Sequence, residues 1–247
     1  MINGIYLATS GMNVEQKRMD VLSNNLANIN TAGYKKEKLV FQVYKDRQIS
    51  NTSNNNQLGN YSGGIIIGQN LVDLSDGNVR YTGNNLDFCV NGKNFFVVAA
   101  PDGQQYMTKD GSFSLNSEGF LVNKDGYFVL GNNGNIQMTG PGDLSVDEKG
   151  NITFNQINIG NFSVNSVTNA EDISMIGSSY FVLKNGAALA ANTDVSIKQG
   201  YIETSNVNGV SEMVDMISIT RSYEANQKIL NMQDEILKKA ANEVGKV

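Results

Sequence analysis

The chain has 247 residues, 40% hydrophobic and 17% charged, which is typical of a folded protein with one large domain or two modest ones. It contains no histidine and one cysteine, which excludes histidine-based catalytic triads and zinc sites built on histidine or several cysteines. The net charge of −5 argues against a nucleic-acid partner, and we interpret the short basic run Lys35, Lys36, Lys38, Lys45 and Arg47 as a solvated segment.

The N-terminal segment has the periodicity of an amphipathic helix. Glu15 is the one polar interruption in a heptad seam whose apolar positions alternate spacings of three and four: Ile5, Ala8, Met12, Met19, Leu22, Leu26 and Ile29. We predict a helix from about residue 4 to 29, locally weakened at Ser10-Gly11 and ending before Gly33.

Residues 1–7 lack the pattern of a signal peptide, and no run reaches the roughly 20 apolar residues of a membrane span. We therefore expect no membrane insertion, and a protein that is either cytoplasmic or exported without a cleavable signal. Farther along, residues 50–64 are rich in Asn, Ser and Gly, which predicts a flexible linker that orders only against a neighbouring molecule.

The middle of the chain is predicted to be β-rich. Asp-Gly and Asn-Gly dipeptides, among them Asp125-Gly126 and Asn185-Gly186, separate short apolar runs and indicate tight hairpins. This pattern favours an antiparallel sandwich or irregular barrel, with Cys89 as a small buried hydrophobic residue. The predicted strands are Leu86–Val90, Phe95–Ala99, Phe113–Leu115, Tyr127–Leu130, Ile152–Phe154, Ile157–Ile159 and Tyr180–Leu183.

The C-terminal segment predicts a second helix, from residue 209 to 244, with Asn208 as a candidate N-cap. Met216, Tyr223, Leu230 and Leu237 recur every seven residues and form its seam. The two terminal seams have two possible partners. They pack on each other as a hairpin within one chain, or they pack against neighbouring copies, and the sequence pattern leaves both open.

The residues give no sign of catalysis, so we expect no enzyme, no catalytic or metal site and no cofactor. Gly63-Gly64 lacks the spacing of a phosphate-binding loop, and the Asp-Gly pairs lack the spacing of a calcium loop. Two alternatives from other classes remain. One is an enzyme or carbohydrate-binding β protein, which the absence of His and Trp disfavours, and the other is a phage-tail or adhesin module.

Two segments next to the helices resemble a known family. Residues 23–35, SNNLANINTAGYK, closely resemble the N-terminal signature of flagellar rod, hook and hook-junction proteins. Residues 199–208, QGYIETSNVN, and 221–226, RSYEAN, are similar to the C-terminal motif of that family. Residues 86–98 and 107–131 resemble its shared central β domain. Within this family the chain most resembles the distal rod subunit, and the proximal rod subunit is the alternative.

The resemblance implies an α+β fold with discontinuous domains. The N- and C-terminal helices, residues 1–30 plus 207–247, would form a coiled-coil inner tube. Residues 31–80 plus 185–206 would be an extended connecting region, and residues 81–184 a central antiparallel β domain. Such proteins are exported unfolded by the flagellar type III apparatus and assemble into a helical tube that transmits torque. The implied partners are further copies of the chain, other rod and hook proteins, ring or bushing proteins and the peptidoglycan layer, at the basal body.

We expect the functional residues to form an assembly interface on the two helices, with the asparagines fixing register by hydrogen bonds to neighbours. We also expect the ends to be mobile in the isolated monomer. The predicted interface residues are Ile5, Met12, Met19, Leu22, Asn24, Asn25, Leu26, Asn28, Ile29, Met216, Tyr223, Leu230 and Leu237.

Overall fold

The computed structural model describes residues 2–43, 47–50, 57–61, 64–184 and 195–244. These residues form two long helices near the chain ends and an antiparallel β-rich region between them, so the predicted α+β class is confirmed. The chain divides into two compact units. The helical unit comprises Met1–Leu26, Lys38–Asn70 and Gly209–Val247, and the β unit comprises Ala27–Glu37 and Leu71–Asn208. The three-part domain division given above stays a prediction.

Helix α1 spans Ile2–Ala27 and helix α2 spans Gly209–Val244. The predicted bounds of α2 are confirmed, and α1 begins and ends two residues earlier than predicted. After α1 the chain makes a turn in which the Thr31 amide donates to the Asn28 carbonyl, 3.1 Å away. Gly33 then has a φ of +67°, a left-handed conformation that glycine adopts without steric cost.

All seven predicted strands are present, with small shifts at their ends. In chain order the strands are β1 (Glu37–Val43), β2 (Arg47–Ser50), β3 (Gln57–Tyr61), β4 (Ile65–Val72), β5 (Val79–Tyr81), β6 (Phe88–Val90), β7 (Asn94–Ala99), β8 (Gln105–Thr108), β9 (Ser114–Leu115), β10 (Leu121–Val122), β11 (Phe128–Gly131), β12 (Gly134–Asn135), β13 (Leu144–Val146), β14 (Asn151–Phe154), β15 (Ile157–Asn161), β16 (Val164–Ser166), β17 (Ile173–Ile176), β18 (Tyr180–Leu183), β19 (Ile197–Gln199) and β20 (Tyr201–Glu203).

The largest sheet runs in the order β17-β18-β8-β7-β11-β10-β9, with β16 also paired to β7 and β12 to β11. A three-stranded sheet has the order β13-β14-β15. Four further strand pairs are β1 with β4, β2 with β3, β19 with β6, and β20 with β5. The last two pairs join strands far apart in sequence, so the segment around residue 200 closes the β unit.

Strand β7 is buried on both faces because successive side chains of a strand point in opposite directions. Phe96 packs with Phe113 and Phe162, at ring distances of 5.4 Å to each, in the larger of two hydrophobic clusters. Phe95 packs on Phe181, with ring centroids 5.1 Å apart, in the other cluster. Burying each such ring contributes roughly 1.5–3 kcal/mol, so this strand anchors the unit.

The predicted turn at Asp125-Gly126 is confirmed. Gly126 has a φ of +81°, and the Asn123 side-chain oxygen accepts hydrogen bonds from the amides of Asp125 and Tyr127 at 3.0 and 2.8 Å. The predicted turn at Asn185-Gly186 lies outside the described residues. Of the linker predicted over residues 50–64, residues 51–56 and 62–63 also lie outside them. The prediction was wrong for residues 57–61, which form β3 and pair with β2.

Candidate assembly surface

The two helices pack against each other in opposite directions within the helical unit. The Asn25 amide nitrogen donates to the Glu212 carboxylate at 3.2 Å, and both residues are fully buried. A side chain at Gly11 would lie 3.1 Å from the Asn226 amide, and one at Gly4 would collide with Gln233. Contacts made by higher-numbered residues of α1 involve lower-numbered residues of α2, so the two helices form an antiparallel hairpin. The lack of a side chain at Gly4 and Gly11 permits this close approach. Gly11, which the sequence analysis interpreted as a weak point in α1, is therefore a contact site.

The inward face of α2 carries polar residues at the contact points. Its least exposed side chains recur in two series of seven-residue spacing. One series is the predicted seam, Met216, Tyr223, Leu230 and Leu237, and the other is Glu212, Ile219, Asn226, Gln233 and Ala240. The Oε1 atom of Gln233 is buried and has no hydrogen-bond partner among the described residues. A hairpin held through Glu212, Asn226 and Gln233 gains little from hydrophobic burial at those three positions.

The outward face of α2 carries exposed apolar residues among exposed charged ones, whereas a helix that packs only on its own core turns its apolar residues inward. On α2, Val210 is 70% exposed, Val214 is 61% exposed and Ile217 is 56% exposed. We call the exposed apolar residues of α2 the outer stripe. Its members are Val210, Met213, Val214, Ile217, Ile229, Met232 and Ile236. Tyr6 and Leu7 add exposed apolar area on α1. Clustered exposed apolar residues are a common feature of surfaces that bind other proteins.

The ribbon of β1 and β4 extends the exposed apolar surface of the helical unit. Ile65, Ile66 and Ile67 are each about two-fifths exposed although they alternate between the two faces of β4. The Ser10 hydroxyl of α1 donates to the Ile65 carbonyl at 2.8 Å and accepts from its amide at 3.2 Å. These two bonds hold the start of β4 on α1.

The structure places the predicted interface residues in three environments. Asn25 is buried against Glu212, and Asn24 is exposed. Asn28 and Ile29 belong to the β unit, where the Asn28 side chain accepts from the Thr31 hydroxyl at 3.1 Å. The rest are half-buried on the helices: Ile5, Met12, Met19, Leu22, Leu26, Met216, Tyr223, Leu230 and Leu237. Their role in assembly stays a prediction.

Reasoning from the sequence did not single out the first part of the outer stripe, although its spacings of three and four are visible there. Val210, Met213, Val214 and Ile217 form a second apolar series beside the seam. A heptad analysis assigns one inward face, so a helix with two apolar faces is described only by its dominant one.

The interpretation of Lys35 as solvated was wrong. Tyr34 and Lys35 are both fully buried in the β unit, and the Lys35 ammonium lies 2.6 Å from the Glu203 carboxylate. Asn206 makes hydrogen bonds close to Lys35. Its side-chain oxygen accepts from the Lys36 amide at 2.7 Å, and its side-chain nitrogen donates to the Asp73 carbonyl at 3.0 Å. The two signature segments therefore make intrachain contacts with each other.

The described residues include no group of three or more potential metal ligands from Cys, Asp and Glu. Neither α1 nor α2 is long and apolar enough to cross a membrane. Cys89 is buried, as predicted, and burial raises the pKa of its thiol to about 11.

Three family models match the chain. "Flagella basal body rod protein" covers residues 5–35, "Flagellar hook protein FlgE/F/G D1 domain" covers residues 89–211, and "Flagellar basal body rod FlgEFG protein C-terminal" covers residues 198–243. The flagellar basal-body rod protein FlgG of Buchnera aphidicola (subsp. Schizaphis graminum) is 31% identical over an alignment of 261 positions, which covers 97% of this chain and 98% of the relative.

The chain belongs to the flagellar basal-body rod protein family. FlgG of Bacillus subtilis is also similar, with 31% identity over 98% of this chain and 99% of its own length. FlgF of Caulobacter vibrioides is 28% identical over the full length of both chains. The resemblance drawn from residues 23–35 and 199–208 is confirmed, and the family is one of structural proteins of the flagellar basal body.

Proposed function

We propose that this chain is a structural axial subunit of the bacterial flagellar basal-body rod, which self-assembles into a helical tube that transmits torque. The observation that carries the proposal is the outer stripe of α2, whose apolar side chains stay exposed to solvent although the opposite face of the helix contacts α1. Further copies that cover this face would bury the stripe and stabilise the helix. Full burial of one stripe side chain contributes roughly 1.5–3 kcal/mol. Because these side chains are about half exposed in the single chain, about half of that free energy would be gained on assembly.

The distal rod is the favoured position, because relatives named FlgG match at about 31% identity. The proximal rod is the second candidate, because FlgF of Caulobacter vibrioides matches over its full length. Locating the tagged chain in purified basal bodies by electron microscopy distinguishes the two. We expect labelling next to the hook, and labelling at the cytoplasmic end of the rod would assign the proximal position.

In the proposed assembly the helices, residues 1–30 and 207–247, form the inner tube, and residues 81–184 form the outer β domain. Residues 31–80 and 185–206 connect the two. The chain reaches the basal body through the flagellar type III export apparatus. Neighbouring copies and other rod and hook proteins cover the outer stripe, while ring or bushing proteins and the peptidoglycan layer face the outside of the rod.

The test is to place a charge in the outer stripe without touching the hairpin contact. We expect Ile217→Asp to abolish rod assembly, because every subunit of the polymer would bury an unpaired carboxylate. The helical content and thermal transition of the monomer should not change, since Ile217 is solvent-exposed there. Circular dichroism and electron microscopy of basal bodies measure the two properties.

The matched control is Ser218→Asp, which adds the same charge at the next, exposed but polar position. It should assemble with near-normal yield. Normal rods and swimming with Ile217→Asp would overturn the assignment of the outer stripe to assembly.

A further inference from the structure

One carboxylate in the β unit neutralises two buried ammonium groups. The Lys35 ammonium lies 2.6 Å from one oxygen of Glu203 and also donates to the Ser75 carbonyl at 2.7 Å. The Lys109 ammonium lies 3.3 Å from the other oxygen of Glu203. The three side chains are 1%, 0% and 3% exposed. Asp76 is 4.0 Å from Lys35, but its side chain is 57% exposed and therefore screened by water.

Lys109 depends strongly on this carboxylate. Its other contacts are with neutral groups: the carbonyl oxygens of Val90 and Gly92, at 2.9 and 2.6 Å, and the Phe95 ring at 5.5 Å. Burial lowers the pKa of Lys109, and Glu203 opposes that shift. Without Glu203, the native packing would enclose two cations held by dipoles and a screened surface acid, a costly arrangement in a protein interior.

Glu203 belongs to a segment that closes the β unit late in the sequence. We call residues 197–206 the closing segment. It supplies β19 to β6 and β20 to β5. Its Gln199 side chain donates to the carbonyls of Asn85 and Leu144 at 2.8 and 2.9 Å, and the Glu203 carbonyl accepts from the Gly33 amide at 2.8 Å. The closing segment thus contacts the signature segment at Gly33, strands β5 and β6, and the first residue of β13.

We propose that Glu203 makes the folding of the β unit depend on the closing segment. The β unit reaches its native packing only when this segment has docked and Lys35 and Lys109 have gained their counter-ion. In a chain that emerges N-terminus first, from a ribosome or through a channel, the β unit then stays incompletely packed until residue 203 has emerged. This inference does not depend on the proposed function.

The order of folding is measured on the full chain. Refolding from denaturant is followed by pulse-labelling hydrogen exchange, read at β7 and β11 and, separately, at β19 and β20. We expect all four strands to gain protection at the same rate. If β7 and β11 gained protection at least about tenfold faster than β19 and β20, the proposal would be overturned. This measurement requires no variant.

Two variants test the charge itself. Glu203→Gln keeps the shape and removes the charge, and it should raise native-state exchange at β7 and β11 about 100-fold or more. The exposed Glu118→Gln is the matched control and should leave exchange unchanged. The triple variant Lys35→Met, Lys109→Met, Glu203→Leu removes the requirement for a counter-ion. It should let β7 and β11 become protected before β19 and β20, and unchanged exchange in Glu203→Gln would refute the proposal.

Discussion

At the scale of single residues, glycines with the same backbone conformation have different surroundings. Gly33 and Gly126 both have positive φ, at +67° and +81°. A Cβ at Gly33 would collide with the backbone of Lys109 and Asp110, whereas a Cβ at Gly126 would meet nothing within 4 Å. The signature glycine is therefore required by packing as well as by backbone conformation.

We expect Gly33→Ala to destabilise the protein by about 2–4 kcal/mol, because it adds a backbone clash to the cost of positive φ. Gly126→Ala is the matched control and should cost about 1 kcal/mol, for backbone conformation alone. Denaturant unfolding monitored by circular dichroism measures both changes. Equal losses in the two variants would show that the clash at Gly33 is relieved by local movement.

The β14–β15 hairpin has two central residues with positive φ, Asn155 at 48° and Gln156 at 68°. Turns of this type favour Asn followed by Gly, so Gln156 is the unfavourable member. We expect Gln156→Gly to stabilise the β unit by about 0.5–1 kcal/mol, while Gln156→Ala should give no gain. Thermal unfolding of the two variants checks the difference, and stabilisation by alanine would contradict the conformational explanation.

Cys89 reports on the folded state of the β unit. With a pKa of about 11 the thiol is almost wholly protonated at pH 8, so its alkylation by iodoacetamide should be at least about 100-fold slower than in the unfolded chain. Because the folded pKa is raised above the ordinary value, this group favours folding below pH 9, and that contribution is lost as the pH rises from 9 to 11. Mass spectrometry of labelled protein measures the rate, and fast labelling of native protein would show that Cys89 is accessible.

At the scale of elements, α2 has two faces with different partners. The seam residue Leu230 lies on the half-buried face that meets α1, and the stripe residue Ile217 lies on the exposed face. The alternatives left open by the sequence, a hairpin within one chain or packing between copies, are therefore assigned to different faces of one helix. The hairpin is observed, and packing between copies is the proposal.

We expect Leu230→Asp to weaken the α1–α2 hairpin in the monomer as well as to block assembly, since it places a charge in a half-buried contact. Limited proteolysis should then release the ends of both helices faster than in the wild-type chain. Lys228→Asp, two residues earlier and exposed, should be mild in both measurements. Equal protection of the helix ends in Leu230→Asp and wild type would place Leu230 outside the hairpin contact.

At the scale of the whole molecule, the β body is completed by segments far from it in sequence. Residues 81–184 contain most of the strands, but β20 pairs with β5, β19 pairs with β6, and Lys35 and Glu203 meet in the interior. The protease-resistant core should therefore be larger than the central β domain predicted from the sequence.

We expect limited proteolysis of the full chain to leave a core that retains residues 27–37 and 197–208 together with residues 71–184, even where a loop is cut, because these segments are held by strand pairing and buried ion pairs. Native mass spectrometry would detect the retained pieces. A stable product confined to residues 81–184 would show that the β body folds without the closing segment.

The sequence by itself located both helices and seven of the 20 described strands, although the linker predicted for residues 57–61 was wrong. Heptad spacing located α1 and α2, and Asp-Gly and Asn-Gly dipeptides separated the seven predicted strands, because these signals act between residues close in sequence. The signature segments, residues 23–35 and 199–208, determined the family. Tertiary structure decided which surfaces are free. The burial of Lys35 depends on Glu203, which is 168 residues away, and the exposure of Val214 and Ile217 depends on which face of α2 meets α1. The burial of Lys35 and the exposure of Val214 and Ile217 do not follow from local spacing. They depend on which groups the fold places next to each side chain.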